Sequence, residues 1–387
     1  MTQVEVAIIV ILLLMSLPGL LRRMGHLSLM YPIYLAVGLL VGPILDDGSL
    51  HLLKETGEFG LILLLFSIGL EIDLPTRAMF AKAAQVAGRW SIWQIPLVVA
   101  LALTVDGNWM NVSMTSVEVS LVAAIAMVSC SLALAYPAWQ RLKADDPEIK
   151  SNLLLFMVAL EVQTIVILSV SGVLLTYGIG MRLLLNLLGV ILAITLVGLL
   201  ANNMTRGLQS VIDRAVHLRV HIIVLFVLLF SAVGGRLGLS AAKTAFFLGL
   251  FISRSTHEGM SLRSHLEPIA QGLLIPVFFV SLGAHLPLSS VFSYIGLHAL
   301  LSAIFILAFR KMISCRWNVI GEYRQAYLIV TPNLTMVAIA VTILQKCVGP
   351  LPVTVWVALT GLFLTIFSIL LFPQADPHPS AAAPPSG

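Results

Sequence analysis

Long apolar stretches broken by short polar turns recur along the chain, at residues 4–20, 31–45, 57–72, 84–104, 118–138, 152–175, 181–203, 217–235, 239–253, 266–284, 289–311, 322–345 and 351–372. Each approaches the ~20 residues that a helix needs to cross ~30 Å of hydrocarbon. None alternates with the period of two that a barrel strand requires. In lipid only helices and closed barrels satisfy every backbone polar group, so the pattern predicts an all-α polytopic membrane protein with about thirteen transmembrane helices. After Phe372 the sequence PQADPHPSAAAPPSG loses this character. It predicts a disordered tail at 373–387 behind one transmembrane domain at 1–372.

Composition agrees: 59% of the 387 residues are hydrophobic and 10% are charged, too much apolar surface for one water-soluble core. A net charge of +4 would point toward nucleic acid in a soluble protein. Here the basic residues sit in short loops, so they report orientation and no nucleic-acid partner. Sixteen of the 22, from Arg22 and Arg23 through Arg141, Lys143 and Lys150 to Arg310, Lys311, Arg316 and Arg324, fall in alternate loops. That asymmetry predicts an outside N-terminus and a cytoplasmic C-terminus. The first apolar run lacks a small-residue cleavage site and reads as a span, not as a removed signal. Cys130, Cys315 and Cys347 have no metal-type spacing, and His217 and His221 lack a third ligand nearby. No metal centre, cofactor or enzyme constellation is expected.

One charge stands out. Glu161 is the only charged residue between Lys150 and Arg182, and it lies ~15 Å into its span. A carboxylate at that depth must be protonated, paired or solvated by a cavity, and each condition couples it to a proton or a cation. The plainer alternative is a permanently neutral acid hydrogen-bonded to a neighbouring helix. Two other spans offer oxygen ligands near this depth. Ser129 and Ser131 flank Cys130 in span 5, and Thr331-Pro332-Asn333 breaks span 12 by removing a backbone donor. Interrupted helices in corresponding halves mark transporter sites, although each signal alone also fits a simple kink. Lys243, near one end of span 9, either snorkels to water or pairs with Glu161 when no cation is bound. Gln94 and Gln163 either border a cavity or bond between helices.

Several segments together resemble the membrane domain of the monovalent cation:proton antiporter-2 family, particularly its Kef-type potassium-efflux members. They are MYPIYLAVGLLVGP, GEFGLILLLFSIGLEIDL, GLSAAKTAFFLGLFISRS and IPVFFVSLGAHLPL. Ser129-Cys130-Ser131 falls where that family has a Ser-Ser-Thr-like segment, and Glu161 where it carries an embedded acid. The resemblance implies an inverted-repeat fold with two interrupted crossing helices and a homodimer in a bacterial inner membrane. It also implies a mobile core, formed by spans 5, 6 and 12, that carries Glu161 between the two sides. Two departures stand out: Leu160-Glu161 replaces the usual Gln-Asp, and Leu273 to Gly283 contains no basic residue. The family's cytoplasmic nucleotide-binding domain is not part of the sequence, so no dinucleotide or glutathione control is expected.

The expected function is exchange of a monovalent cation, sodium or potassium, for protons at Glu161. Ser129, Ser131, Thr331 and Asn333 are auxiliary ligands, and Lys243 and Gln163 are ion-pair or cavity residues. An uncoupled cation leak, or a membrane scaffold or sensor that has kept the fold without transport, stand as alternatives.

Overall fold

The computed structural model describes residues 29–71, 77–105, 114–140, 147–178, 219–236, 241–255, 274–317, 326–347 and 352–372, with isolated positions elsewhere. Among the described residues all regular structure is helical. The helices are α1 (Met30–Val41), α2 (Asp47–Glu71), α3 (Arg77–Leu103), α4 (Met114–Val128), α5 (Leu132–Gln140), α6 (Pro147–Tyr177) and α7 (Arg219–Arg236). They continue as α8 (Ala241–Ser255), α9 (Ile275–Ala284), α10 (Tyr294–Trp317), α11 (Ala326–Ile329), α12 (Leu334–Cys347) and α13 (Pro352–Leu371). The expected spans at 4–20 and 181–203 and the tail at 373–387 lie outside the described residues, isolated positions apart. Every other expected span falls on a helix.

Two of those spans are split. The expected span at 118–138 becomes α4 and α5, separated by Ser129, Cys130 and Ser131, and that at 322–345 becomes α11 and α12, separated at 330–333. Among the described residues four helices, α3, α6, α10 and α13, are long and apolar enough to cross a membrane unaided. The half-helices are too short to do so and span only as end-to-end pairs.

The helices sort into two packed groups. In the first, α1, α2, α7, α8 and α9 contact one another, and in the second α3, α4, α5, α6, α10, α11, α12 and α13 do, with α13 touching α1 across the divide. Each half of the chain passes through the first group and then the second, and each supplies one interrupted helix. This is the order that a repeated transporter architecture requires.

Glycine sets the spacing inside the first group. A Cβ on Gly38 of α1 would sit 2.1 Å from the Val280 carbonyl oxygen of α9, and one on Gly283 would sit 2.1 Å from that of Leu35. Gly69 and Gly249 make the same reciprocal approach between α2 and α8, at 2.3 Å in each direction. Since lipid gives helices no hydrophobic reason to associate, close backbone contact across small residues is what holds them. All ten residues of α9 are buried, as suits the centre of a group. At the mouth of α2, the Ser49 hydroxyl and nearby backbone amides bond to the Asp46 carboxyl and hold its pKa below the usual carboxylate value. This acidic cap suits a helix N-terminus.

Replacing Gly283 by valine should force α1 and α9 apart and lower stability by roughly 1–3 kcal/mol, the range for overpacking a tight contact. Gly88 in α3, with nothing within 4 Å of an added Cβ, should accept alanine with no loss. Thermal unfolding of the two purified variants checks both outcomes.

Candidate functional site

Breaking two membrane helices frees backbone groups that lipid cannot satisfy, and the site is built from the groups that satisfy them. The breaks meet in the second group, where the Ser131 N–H donates to the Pro332 carbonyl at 2.7 Å. The Thr335 hydroxyl donates to the Ser131 hydroxyl at 2.6 Å. At the C-terminal end of α4, the Asn333 side-chain amide donates to the Met127 carbonyl at 2.9 Å and to that of Ala126 at 3.3 Å. The Ser129 hydroxyl also donates back to Ala126, at 2.5 Å. Ser129, Ser131, Thr331 and Asn333 are fully buried.

Glu161 is the fifteenth of the 31 residues of α6 and fully buried. Its Oε2 accepts from the backbone N–H of Leu132, the first residue of α5, at 3.2 Å. A helix N-terminus offers unsatisfied N–H groups and a partial positive charge, so this carboxylate lies where the backbone favours an anion. Among the described residues it is the only fully buried carboxylate.

The opposite charge comes from a residue that sequence reasoning placed elsewhere. Arg310 was assigned to a cytoplasmic loop because Arg310-Lys311 ends a long apolar run. Instead α10 continues to Trp317, and Arg310 is fully buried while Lys311 is exposed. The overlooked signal is the apolar Met312-Ile313 that follows the pair. The guanidinium donates to the Met127 carbonyl at 2.5 Å, the Thr331 carbonyl at 3.4 Å and Gln94 Oε1 at 2.8 Å. It also lies 5.9 Å from the centre of the Trp90 ring. The C-terminal ends of α4 and α11, each carrying partial negative charge, therefore converge on one cation. Cys130, fully buried between the half-helices, feels the charges of both Glu161 and Arg310.

The sequence-predicted residues thus separate. Ser129, Ser131, Asn333 and Glu161 come together at the crossing, and Thr331 joins through its carbonyl, its hydroxyl donating to Tyr327 at 2.5 Å. Asn333 Oδ1 has no hydrogen-bond partner among the described residues, which leaves a buried acceptor beside the break. Gln163 lies two positions beyond Glu161, ~200° around α6, and is half-buried. The Lys243 side chain lies outside the described residues. Arg310 and Thr335 are the additions that sequence reasoning lacked.

Membrane-length helices with two broken ones meeting beside a buried acid and a buried guanidinium form the architecture of a secondary transporter. Residues 9–375 match the family described as "Sodium/hydrogen exchanger, transmembrane", and the chain belongs to that family. It is similar to the "Probable Na(+)/H(+) antiporter 3" of Methanocaldococcus jannaschii, 25% identical over 79% of this chain and 77% of that protein. It is also similar to the ammonium/H(+) antiporter subunit AmhT of Alkalihalophilus pseudofirmus, 27% identical over 66% of this chain and 64% of that one. The fold matches the solved structure of the sodium proton antiporter MjNhaP1 of Methanocaldococcus jannaschii, with TM-score 0.68, 16% identity and 94% of each chain covered.

Arg310→Met should leave Gln94 Oε1 and the Thr331 carbonyl without their donor, leave the Met127 carbonyl to Asn333 alone, and lower stability by roughly 3–5 kcal/mol, as when one partner of a buried charge cluster is removed. Arg310→Lys keeps the charge but lacks the fork that reaches three acceptors, so its unfolding temperature should fall between those of wild type and Arg310→Met.

Proposed function

We propose that the chain exchanges a monovalent cation for protons by alternating access around Glu161, which binds one or the other. The observation that carries this reading is Glu161, the only fully buried carboxylate among the described residues, halfway along α6 and facing the open end of a half-helix. An ionised carboxylate there needs a positive partner, and a proton and a small cation compete for the same oxygens. Because the two share one group, each turnover at Glu161 moves one cation against one proton. The auxiliary ligands are Ser129, Ser131, Asn333 and the carbonyls near Thr331. Asn333 Oδ1 is the most available of them, because Asn333 already fixes its amide on α4. The cargo is sodium or ammonium, the ions named for the similar proteins, or potassium, which the resemblance to Kef-type members implies.

The two helix groups supply the moving parts of this mechanism. The site belongs wholly to the second group. Lys346, on α12, meets Glu58, on α2 of the first group, at 2.7 Å. Beneath this ion pair a cavity of about 40 Å³ lies between the groups, lined by Lys54, Glu58, Ser281, His285, Thr342 and Gln345. With the loop charges placing Lys54 and Lys346 outside, this contact closes the outer side, and it must open for Glu161 to face outward. Removing Arg310 from the loops leaves the charge asymmetry in place. The N-terminus therefore lies outside and the C-terminus in the cytoplasm, and the resemblance to the Kef-type antiporters implies an inner membrane and a homodimer.

In proteoliposomes, each of the three cations should dissipate an imposed pH gradient if it is carried. Glu161→Gln should abolish that response while the protein remains folded. Exchange unchanged in Glu161→Gln removes the residue from the mechanism, and cation flux without proton counterflux favours an uncoupled leak. Because protons compete for one group, the apparent KM for the cation should fall about tenfold per pH unit on the acid side and then level off. The opening step has its own check. With Cys347 replaced by serine, Glu58→Cys and Lys346→Cys should form a disulfide that stops exchange and releases it on reduction. Undiminished exchange in the oxidised protein would mean that the groups do not part there.

A further inference from the structure

A hydroxyl inside a helix commonly bonds back to the carbonyl four residues earlier, the acceptor that its own helix always supplies. Thr56, Thr164, Ser169 and Thr342 all do so, on the Leu52, Leu160, Ile165 and Ala338 carbonyls. Thr335, in the first turn of α12, does not. Its hydroxyl leaves its own helix and donates to the Ser131 hydroxyl in the other break, at 2.6 Å, with both side chains fully buried.

The break accounts for the departure. Four residues before Thr335 is Thr331, whose carbonyl accepts from Arg310, and three before it is Pro332, whose carbonyl takes the Ser131 N–H at 2.7 Å. Ser131 meets the same shortage from its own side. The carbonyls that close α4 already have donors, Met127 from Arg310 and Asn333, and Ala126 from Ser129 and Asn333. Among the described residues the two hydroxyls are therefore each other's only hydrogen-bond partners.

A pair of hydroxyls can do what a hydroxyl on a carbonyl cannot. Each is both donor and acceptor, and each hydrogen turns about its own C–O bond, so the bond can reverse while both oxygens stay where they are. With Thr335 donating, one Ser131 lone pair is occupied. With Ser131 donating, its hydrogen rests on Thr335 and its lone pairs are open. A cation needs oxygen lone pairs in place of its water and repels a hydroxyl hydrogen, so it selects the second arrangement.

We propose that Thr335 is a positioning residue for exchange: it accepts the Ser131 hydrogen bond when a cation arrives, which turns a Ser131 lone pair to the ion, and donates again when the cation leaves. No covalent bond changes, and only two hydroxyls rotate. The inference rests on the exchange reading, with Ser131 among the cation's ligands. Without the Thr335 oxygen, Ser131 could face the cation only by leaving a buried O–H with no acceptor. That cost appears in cation affinity and not in the rate at saturation.

The experiment measures exchange in proteoliposomes at one pH, with sodium, potassium and ammonium in turn. It compares wild type with Thr335→Val, Thr335→Ser, Ser131→Ala and the double variant of Ser131→Ala with Thr335→Val, each first shown folded by thermal unfolding and gel filtration. Valine keeps the shape of threonine and loses the hydroxyl. The apparent KM for a carried cation should rise roughly five- to tenfold, the scale of one hydrogen bond, and the maximal rate per folded transporter should change far less. Thr335→Ser keeps the hydroxyl and should return KM to near the wild-type value. Ser131→Ala should raise KM at least as much as Thr335→Val does, and the double variant should raise it no further, because Thr335 acts only through Ser131.

A merely structural Thr335 would lower the folded yield or the maximal rate and leave KM alone. Wild-type KM in folded Thr335→Val or in Ser131→Ala, a Thr335→Ser no better than Thr335→Val, or effects that multiply in the double variant overturn the proposal. If valine prevents folding, Thr335→Ala removes the same hydroxyl with a smaller side chain and is read against Thr335→Ser in the same way. Glu161→Gln, run alongside, separates the two readings. If it abolishes exchange while the Thr335 variants keep their KM, Thr335 alone is misassigned, whereas exchange surviving in Glu161→Gln removes the reading on which it rests.

Discussion

A helix that stops inside a membrane must find partners for its last carbonyls and first amides, because lipid offers none. This chain stops two helices at one place, and the consequences of that choice organise the second helix group. The C-terminal ends of α4 and α11 present carbonyls, and these recruit Arg310 and Asn333. The N-terminal end of α5 presents amides, and one of them meets Glu161. The acid and the base are thus each answered by backbone of opposite polarity.

Most of the architecture was legible in the sequence, because hydrocarbon thickness imposes a length that apolar runs either meet or do not. The interruption at Pro332 was visible for a local reason, the missing donor. That at Ser129 to Ser131 rested on weaker ground, since hydroxyls inside a helix fit a kink equally well. Glu161 was conspicuous because a lone charge amid apolar residues has few explanations. Arg310 was hidden by the opposite circumstance: next to Lys311, at the end of an apolar run, it matched the pattern of a membrane-anchoring pair. Neighbouring positions on a helix point ~100° apart, so one of the two faces the crossing and the other leaves the protein. Only the packing of α10 tells which. Thr335 was hidden because a hydroxyl in an apolar helix carries no signal until its partner, Ser131 some two hundred positions away, is brought to it by the fold.

The distribution of close packing ties the site to motion. Inside the first group, the α1–α9 and α2–α8 seams bring backbone against backbone, and such contacts leave no room for gradual deformation. Inside the second, the crossing is tied by hydrogen bonds from five separate stretches of chain, residues 94, 126–132, 161, 310 and 331–335. Between the groups the contacts are of another kind: α13 against α1, an exposed ion pair and a small cavity. Polar contacts at an exposed boundary exchange readily with water, and each contributes little. The protein is therefore tightly tied within each group, the crossing included, and weakly joined where one group meets the other. Relative movement of the two groups as rigid bodies is the deformation that this pattern makes least costly, because it leaves the hydrogen bonds of the crossing intact.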